Sequence, residues 1–218
     1  DKFKKELILA RDYIGEKPLY YSIYKGEFIF ASELIFFQKI IPSLKLSSSS
    51  LNDFLSHGYY PDPLTPYQGV YKLTPGSTLT ISTENFKPTI KRYWEPIANQ
   101  FSSNESDNYT VICREVKNRL ENSVRNMMIS DVPIGSFLSG GLDSSLITSI
   151  LAKYSREKVN TFTIGFNEKN FDESSSAKKI ANHLGVDNTL LKISSLDYME
   201  AIKLSANYFS EPMGNSSV

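Results

Sequence analysis

The spacing of apolar residues changes near residue 109 and divides the chain into two parts. Beyond that point apolar side chains recur every four residues, at Ile112, Val116, Leu120, Val124 and Met128. This period predicts one long amphipathic helix. The two parts of the chain are therefore expected to fold differently.

Strand-like and helix-like runs alternate after this helix. The predicted strands are 132–138, 161–166 and 189–193, and the predicted helices are 144–155, 172–184 and 196–209. Such alternation predicts a parallel sheet covered by helices. In sheets of this kind, ligands bind beyond the carboxyl ends of the strands.

Residues 1–96 contain short aromatic and β-branched runs separated by turn signals, a pattern typical of strands and hairpins. The dipeptide Lys25-Gly26 is predicted as a hairpin turn. The polar, aperiodic stretch 97–108 predicts a linker to residues 109–218. The fold class is therefore α/β with an α+β first part. Predicted strands in that part are 7–10, 19–24, 28–31, 70–73 and 78–82, with helices at 33–40 and 51–57.

Composition excludes several classes of function. Lys+Arg and Asp+Glu both number 24, so the zero net charge argues against a nucleic-acid-binding or polybasic membrane surface. No apolar run approaches the roughly 20 residues of a membrane span. The one cysteine, Cys113, cannot form an internal disulfide and suits a reducing cytoplasm. It is predicted as a small apolar residue packed in the long helix.

The segment SGGLDSS, residues 139–145, lies between a predicted strand and a predicted helix. The glycine pair Gly140 and Gly141 lets the backbone approach an anion closely, and the N–H groups at the helix start point toward it. Serine hydroxyls add further donors, at Ser139, Ser144 and Ser145. The segment is neither the GxxxxGK[ST] loop nor the GxGxxG turn. It predicts a phosphate-binding loop of another kind.

An aspartate, Asp143, lies in the middle of this anion site. Two like charges about 4 Å apart repel by roughly 4 kcal/mol at an effective dielectric near 20. A bridging cation is therefore expected, and Mg²⁺ is the usual one beside polyphosphates. The segment resembles the pyrophosphate-binding loop of the ATP pyrophosphatase superfamily, whose members cleave ATP between the α and β phosphates.

The first part of the chain resembles glutamine-dependent asparagine synthetases. The segments that carry the resemblance are RDYIGEKPLYY at 11–21, FASE at 30–33, GYYPDP at 58–63 and GVYKLTPG at 69–76. It continues at 139–145, 162–166, 171–174 and 183–185, and so covers nearly the whole chain in order. The sequence is identified as a member of the asparagine synthetase family.

The resemblance implies a piece of a two-domain enzyme. Residues 1–96 would be the C-terminal portion of an N-terminal-nucleophile glutaminase domain. Residues 109–218 would be the N-terminal portion of a parallel-sheet ATP pyrophosphatase domain of the adenine nucleotide alpha hydrolase type. The family activates aspartate with ATP as an aspartyl-adenylate, which ammonia from glutamine then attacks. Its nucleophilic cysteine and its second acidic loop are expected upstream of Asp1 and downstream of Val218, so no catalytic residue is assigned here.

The resemblance carries over to seven positions. Five match the pyrophosphate loop, namely Ser139, Gly140, Gly141, Asp143 and Ser144, with Asp143 as the expected magnesium ligand. Two others, Leu138 and Ile164, match strand-end positions that contact the adenine nucleotide in the family. The alternative is that both residues are ordinary core residues of their strands.

The roles of two acidic dipeptides, one of them Glu-Pro, and several functions stay open. Asp172-Glu173 would face substrate or cap a helix, and Glu211-Pro212 resembles a turn bordering the aspartate pocket in some family members. The expected ligands are ATP, Mg²⁺, aspartate and glutamine, and a homodimer is left open. Alternative functions are a related amidotransferase or β-lactam synthetase-like enzyme acting on another carboxylate, an RNA-modifying adenylating enzyme, or a non-catalytic remnant.

Overall fold

A computed structural model describes residues 1–82, 84, 87–96, 108–168, 170, 172–212 and 214; the side chains of 206–208 are not described. The chain divides into two compact units. The first comprises Asp1–Gln100 with Ala201–Val218, and the second comprises Phe101–Glu200. Apart from Asn108, the predicted linker 97–108 lies outside the described residues.

The first unit contains two antiparallel sheets of three strands each, in the orders β1-β5-β6 and β3-β2-β4. The hairpin predicted at Lys25-Gly26 is confirmed, since Tyr24 pairs with Glu27 across it. The elements are β1 Glu6–Ala10, β2 Tyr20–Tyr24, β3 Glu27–Ala31, α1 Ile35–Ile40, α2 Ser48–His57, β4 Val70–Lys72, β5 Ser77–Ser82 and β6 Pro88–Arg92.

Two of these elements differ from the sequence prediction. Strand β6 was not predicted, because a proline argues against a strand. Pro88 is tolerated as the first residue of an edge strand, where a missing N–H costs little. Helix α2 begins three residues earlier than predicted, because the Ser47 side chain accepts the Ser50 N–H and caps the serine run.

The RDYIG segment builds a turn in the first unit. The Arg11 guanidinium is buried and donates to the carbonyl oxygens of Leu73 at 2.6 Å and Gly15 at 3.0 Å. Asp12 accepts the N–H groups of Glu16 and Lys17. These side chains satisfy backbone groups of the turn, so this part of the family resemblance has a structural explanation.

The second unit is built on a parallel sheet in the order β7-β8-β9, which confirms the predicted α/β alternation. Strand β7 is shorter than the predicted 132–138, because only three residues pair with β8 and Pro133 brings no N–H to a ladder. The elements are α3 Tyr109–Met127, β7 Gly135–Phe137, α4 Leu142–Tyr154, β8 Asn160–Phe166, α5 Ser174–Leu184 and β9 Asp187–Ile193. Helix α6, Ser195–Tyr208, begins in this unit.

The core of this unit lies under the C-terminal half of α3. Val124 is buried there, with Leu120 and Met128 packed around it. Toward the start of the helix the apolar stripe is open to solvent, since Val116 is 50% exposed. The prediction that Cys113 is packed is wrong, because the residue is exposed. The four-residue period of apolar side chains predicted the helix correctly. It did not show how much of the apolar face of that helix is covered by other elements.

One face of the parallel sheet is open in the second unit. Along β8, Thr161 and Thr163 are buried whereas Phe162 and Ile164 are 46% and 52% exposed. The neighbouring Leu191, which pairs with Ile164, is also exposed. Successive side chains of a strand point to opposite faces, so the helices cover the threonine face. No helix among the described residues has the length and apolar character needed to cross a membrane.

The α3–α4 packing of the second unit should depend on pH. Glu121 accepts hydrogen bonds from the Tyr154 hydroxyl and from the Lys153 ammonium, and these bonds lower the pKa of its carboxyl below 4.5. A lowered folded pKa means that the stabilisation is present above about pH 4.5 and is lost as the pH falls through the folded value. We expect Glu121→Gln to lower the thermal midpoint at pH 7 and to flatten its fall below pH 4.5. Circular dichroism melts of both proteins, with the exposed Glu157→Gln as control, measure this. An unchanged pH profile in Glu121→Gln would contradict it.

Candidate functional site

The SGGLDSS loop connects the carboxyl end of β7 to the start of α4. Leu138 anchors it, because its N–H donates to the Phe162 carbonyl at 2.9 Å and its own carbonyl accepts from Thr163 Oγ1 at 2.7 Å. The Leu138 side chain is buried in the core. Leu138 therefore fixes where the loop begins but offers no free polar group.

Gly140 is the position that most tightly constrains the loop. Its φ of +89° lies in the left-handed region, where a side chain is strained. A Cβ atom there would lie 2.9 Å from the Ala177 nitrogen and 2.9 Å from Ser176 Cβ, both in α5. Gly141, in contrast, has a φ of −73°, and an added Cβ would meet only Ser139 Oγ at 3.3 Å. The backbone at Gly140 packs directly against the first turn of α5.

The serine hydroxyls of the loop bond within the loop itself. Ser139 Oγ and Ser144 Oγ are 2.9 Å apart, and Ser139 Oγ also accepts the Gly141 N–H at 3.2 Å. Ser145 Oγ donates to the Gly141 carbonyl at 2.6 Å. The sequence predicted these hydroxyls as donors to an anion. The structure shows them holding the loop in shape, which pre-organises its backbone N–H groups.

Helix α4 begins at this loop with no side chain capping its first turn. The first N–H groups of a helix have no partner inside the helix and, with the helix dipole, attract negative charge. Asp143 lies in this first turn and is exposed. No ion pair or hydrogen bond of its carboxylate is found among the described residues. The site thus combines the uncapped N–H groups of a helix start with one exposed carboxylate.

A second helix starts next to the same loop. Asp172 Oδ1 accepts the N–H of Ser174 at 3.1 Å, and hydrogen bonding to Ser174 lowers the pKa of the Asp172 carboxyl. Asp172 thus bonds to the first N–H group of α5 from the residue before the N-cap, whereas Glu173, at the N-cap itself, makes no side-chain capping bond. The loop and the first turn of α5 therefore meet beyond the carboxyl ends of β7 and β8, where parallel sheets place their ligands.

The two positions matched to adenine contacts differ in exposure. Leu138 belongs to the core cluster, whereas Ile164 lies on the open face of the sheet. The loop residues Ser139, Gly140, Gly141, Asp143 and Ser144 are brought together as one turn.

The residues at the loop suit a magnesium ion only in combination with phosphates. Within the described ranges, no group of three or more His, Cys, Asp or Glu side chains could hold a metal ion. Mg²⁺ usually keeps several waters and takes one or two carboxylates together with substrate phosphates. One exposed carboxylate at an anion-binding helix end fits that mode.

Glu211 lies in the first unit, in contact with a lysine of the 69–76 segment to which the sequence analysis gave no role. Its carboxylate is 2.8 Å from the Lys72 ammonium. Burial raises the pKa of Glu211, and the hydrogen bond and charge of Lys72 oppose that rise. No pattern near residue 72 indicates this pairing, because the two positions are far apart in the sequence.

Comparisons with known proteins match each part of the chain to a family. A glutamine amidotransferase domain family matches residues 1–94, and an asparagine synthase family matches residues 115–218. Asparagine synthetase [glutamine-hydrolyzing] 1 of Bacillus subtilis (strain 168) is 34% identical over 94% of this chain and 32% of its own length. The two matched families follow one another along the chain, and nearly its whole length is similar to glutamine-hydrolysing asparagine synthetases.

Two further relatives show the breadth of the similarity. Putative asparagine synthetase [glutamine-hydrolyzing] 2 of Methanocaldococcus jannaschii is 29% identical over all of this chain and 42% of its own length. Amidase chyE of Penicillium rubens is 30% identical over 88% of this chain and 30% of its own length. The chain therefore spans between about a third and two fifths of the length of these asparagine synthetases.

One solved structure has a weaker similarity. Glutamine-dependent NAD+ synthetase from Acinetobacter baumannii, in complex with ADP, aligns at 17% identity and a TM-score of 0.34. The alignment covers 72% of this chain and 26% of that one. A TM-score this low supports no argument.

Proposed function

We propose that the full-length protein is a glutamine-hydrolysing asparagine synthetase. It would amidate aspartate with ATP through an aspartyl-adenylate, using ammonia released from glutamine. The observation that carries the proposal is the uncapped start of α4 behind Gly140, with Asp143 in its first turn. This turn lies within the part of the chain that the asparagine synthase family matches.

The loop would hold the β and γ phosphates of ATP. Backbone N–H groups in the first turn of α4 point outward from the helix end and carry its positive dipole. When the bond between the α and β phosphates breaks, negative charge develops on the departing pyrophosphate, and donors already in position stabilise it. The hydroxyls of Ser139 and Ser144 keep this turn in shape through their mutual hydrogen bond.

Asp143 would hold the magnesium ion that accompanies ATP. When bound there, magnesium supplies positive charge to the phosphate oxygens. Asp143 is exposed and carries no other partner among the described residues, so its carboxylate is available for this role.

The other assignments follow the family. Residues 1–96 would be the C-terminal portion of the amidotransferase domain and residues 109–218 the N-terminal portion of the synthetase domain. Ile164, on the open sheet face, would contact the adenine nucleotide. Leu138 would act at the same end of the sheet by fixing the loop, since its side chain is buried.

One alternative acceptor chemistry has an observation in its favour. The alternative is a related amidotransferase that acts on another carboxylate; the similarity to Amidase chyE of Penicillium rubens, at 30% identity, shows that relatives of this chain are not all named asparagine synthetases. Amide formation by the full-length protein, measured with ATP, glutamine and a panel of carboxylic acids, tests both. We expect asparagine as the main product. A panel in which another acid is amidated faster than aspartate would overturn the asparagine assignment and leave the ligase class intact.

A further inference from the structure

Inside the first unit, a largely buried ion pair joins the part of the chain matched by the amidotransferase family to the part matched by the asparagine synthase family. Lys72 Nζ lies 2.8 Å from Glu211 Oε2, and the two side chains are only 12% and 16% exposed. The same ammonium donates to the Tyr60 carbonyl at 2.7 Å. Lys72 belongs to the residues matched by the amidotransferase family, whereas Glu211 belongs to those matched by the asparagine synthase family. The pair therefore connects the two halves of the proposed enzyme.

The segment that contains Glu211 makes a second contact, between Gly214 and Gly58. The Gly214 N–H donates to the Gly58 carbonyl at 2.9 Å. A Cβ atom on Gly214 would lie 2.6 Å from that same oxygen, so the two backbones touch. Glu211 also borders a cavity of about 310 Å³, whose lining includes Tyr20 and Glu33.

One oxygen of Glu211 is left unpaired. Its Oε1 atom is buried and has no hydrogen-bond partner among the described residues. An unsatisfied buried acceptor costs about 1–3 kcal/mol, more when it is charged. Lys72 neutralises the carboxylate through Oε2, and Glu211 lines the cavity, so Oε1 is the oxygen left to accept a further hydrogen bond.

We propose that Lys72 is a positioning residue: it fixes the Glu211 carboxylate so that Oε1 accepts a hydrogen bond from a donor among the reactants. This inference rests on the proposed function, because the donor must come from the reaction. The inference gives Lys72, in the amidotransferase half, a role in the proposed function: it sets the position of the Glu211 carboxylate, which belongs to the synthetase half.

The charged and polar groups around Glu211 determine how removal of the Lys72 ammonium should change the pKa of the Glu211 carboxyl. Burial raises the pKa of Glu211, the hydrogen bond and charge of Lys72 lower it, a hydrogen bond with the Tyr20 hydroxyl also lowers it, and the charge of Asp62 raises it. Removing the ammonium therefore favours the protonated acid. The other titratable groups facing the carboxyl are the Tyr20 and Tyr60 hydroxyls and, across the cavity, the Glu33 carboxyl.

The test uses Lys72→Met and Lys72→Arg in the full-length protein, with the exposed Lys91→Met as control. Pyrophosphate release is measured against pH with ammonium chloride in place of glutamine. We expect the acid limb of the Lys72→Met profile to move up by about 1 pH unit, as for loss of an adjacent opposite charge. Lys72→Arg should restore the wild-type limb, and Lys91→Met should not move it. Glutamine hydrolysis should stay within twofold of the wild type in all three.

A second measurement does not depend on activity. Thermal unfolding of Lys72→Met, Glu211→Gln and the double variant gives a double-mutant cycle, and non-additive midpoints show that the pair forms. Additive midpoints, or an unshifted acid limb in Lys72→Met, would overturn the positioning role. A wild-type protein that releases no pyrophosphate with any acceptor would instead overturn the proposed function, whatever the cycle shows.

Discussion

Asp143→Asn in the full-length protein is expected to lose aspartate-dependent pyrophosphate release by about 10²-fold or more, while glutamine hydrolysis persists. The carboxylate lies in the first turn of α4, exposed and without another partner among the described residues. Asparagine has nearly the same shape but no charge, so it can no longer hold a cation beside the phosphates. The two activities would use different parts of the chain, and only one contains this turn.

The matched control is Glu157→Gln. Glu157 is an exposed acid just beyond the C-terminal end of α4, so its replacement removes one charge from the same unit without touching the loop. We expect both activities to remain within twofold of the wild type. Equal loss of both activities in Asp143→Asn would count against the role assigned to the loop.

Gly140→Ala is expected to disrupt the loop through two separate effects. The left-handed φ of +89° strains any L side chain, by about 1–2 kcal/mol. The added Cβ would also lie 2.9 Å from the Ala177 nitrogen, which belongs to the α5 backbone and cannot move aside cheaply. Together these predict a loss of about 3 kcal/mol in unfolding free energy. Urea denaturation followed by circular dichroism measures this loss.

Gly185→Ala separates the two effects. Gly185 has a similar φ of +69°, but an added Cβ would meet nothing within 4 Å. We expect it to lose only about 1 kcal/mol and to keep ATP binding. Gly140→Ala should lose more stability than Gly185→Ala and should bind ATP at least about tenfold more weakly. Equal losses for the two alanines would show that α5 does not press against the loop as described.

The fold could be predicted from the sequence wherever the pattern that indicates it lies within a short stretch of the chain. The alternation of strand and helix in the second half fixed the parallel sheet, because a βαβ crossover requires it. The glycine pair and its neighbouring serines indicated a tight turn between a strand and a helix, because the turn lies within seven consecutive residues, 139–145; that this turn binds phosphate stays a prediction. Strand β6 was missed, since a proline at its first residue resembles a strand breaker in the sequence alone.

The features that escaped prediction depend on contacts between distant residues. Leu138 and Ile164 are both apolar strand residues, yet one is buried and the other is on the open face. Which face of a sheet is covered depends on where the helices pack, and no local pattern contains that information. The pairing of Lys72 with Glu211 is of the same kind, since it joins one strand to a segment far along the chain.

We propose that the turn at Gly140 holds the β and γ phosphates while ATP is cleaved between its α and β phosphates. The most direct test is to follow ATP by phosphorus NMR as the full-length protein turns over with aspartate, glutamine and magnesium. AMP and pyrophosphate, formed in equal amounts and in step with asparagine, are the products that the account predicts. ADP and orthophosphate would contradict it.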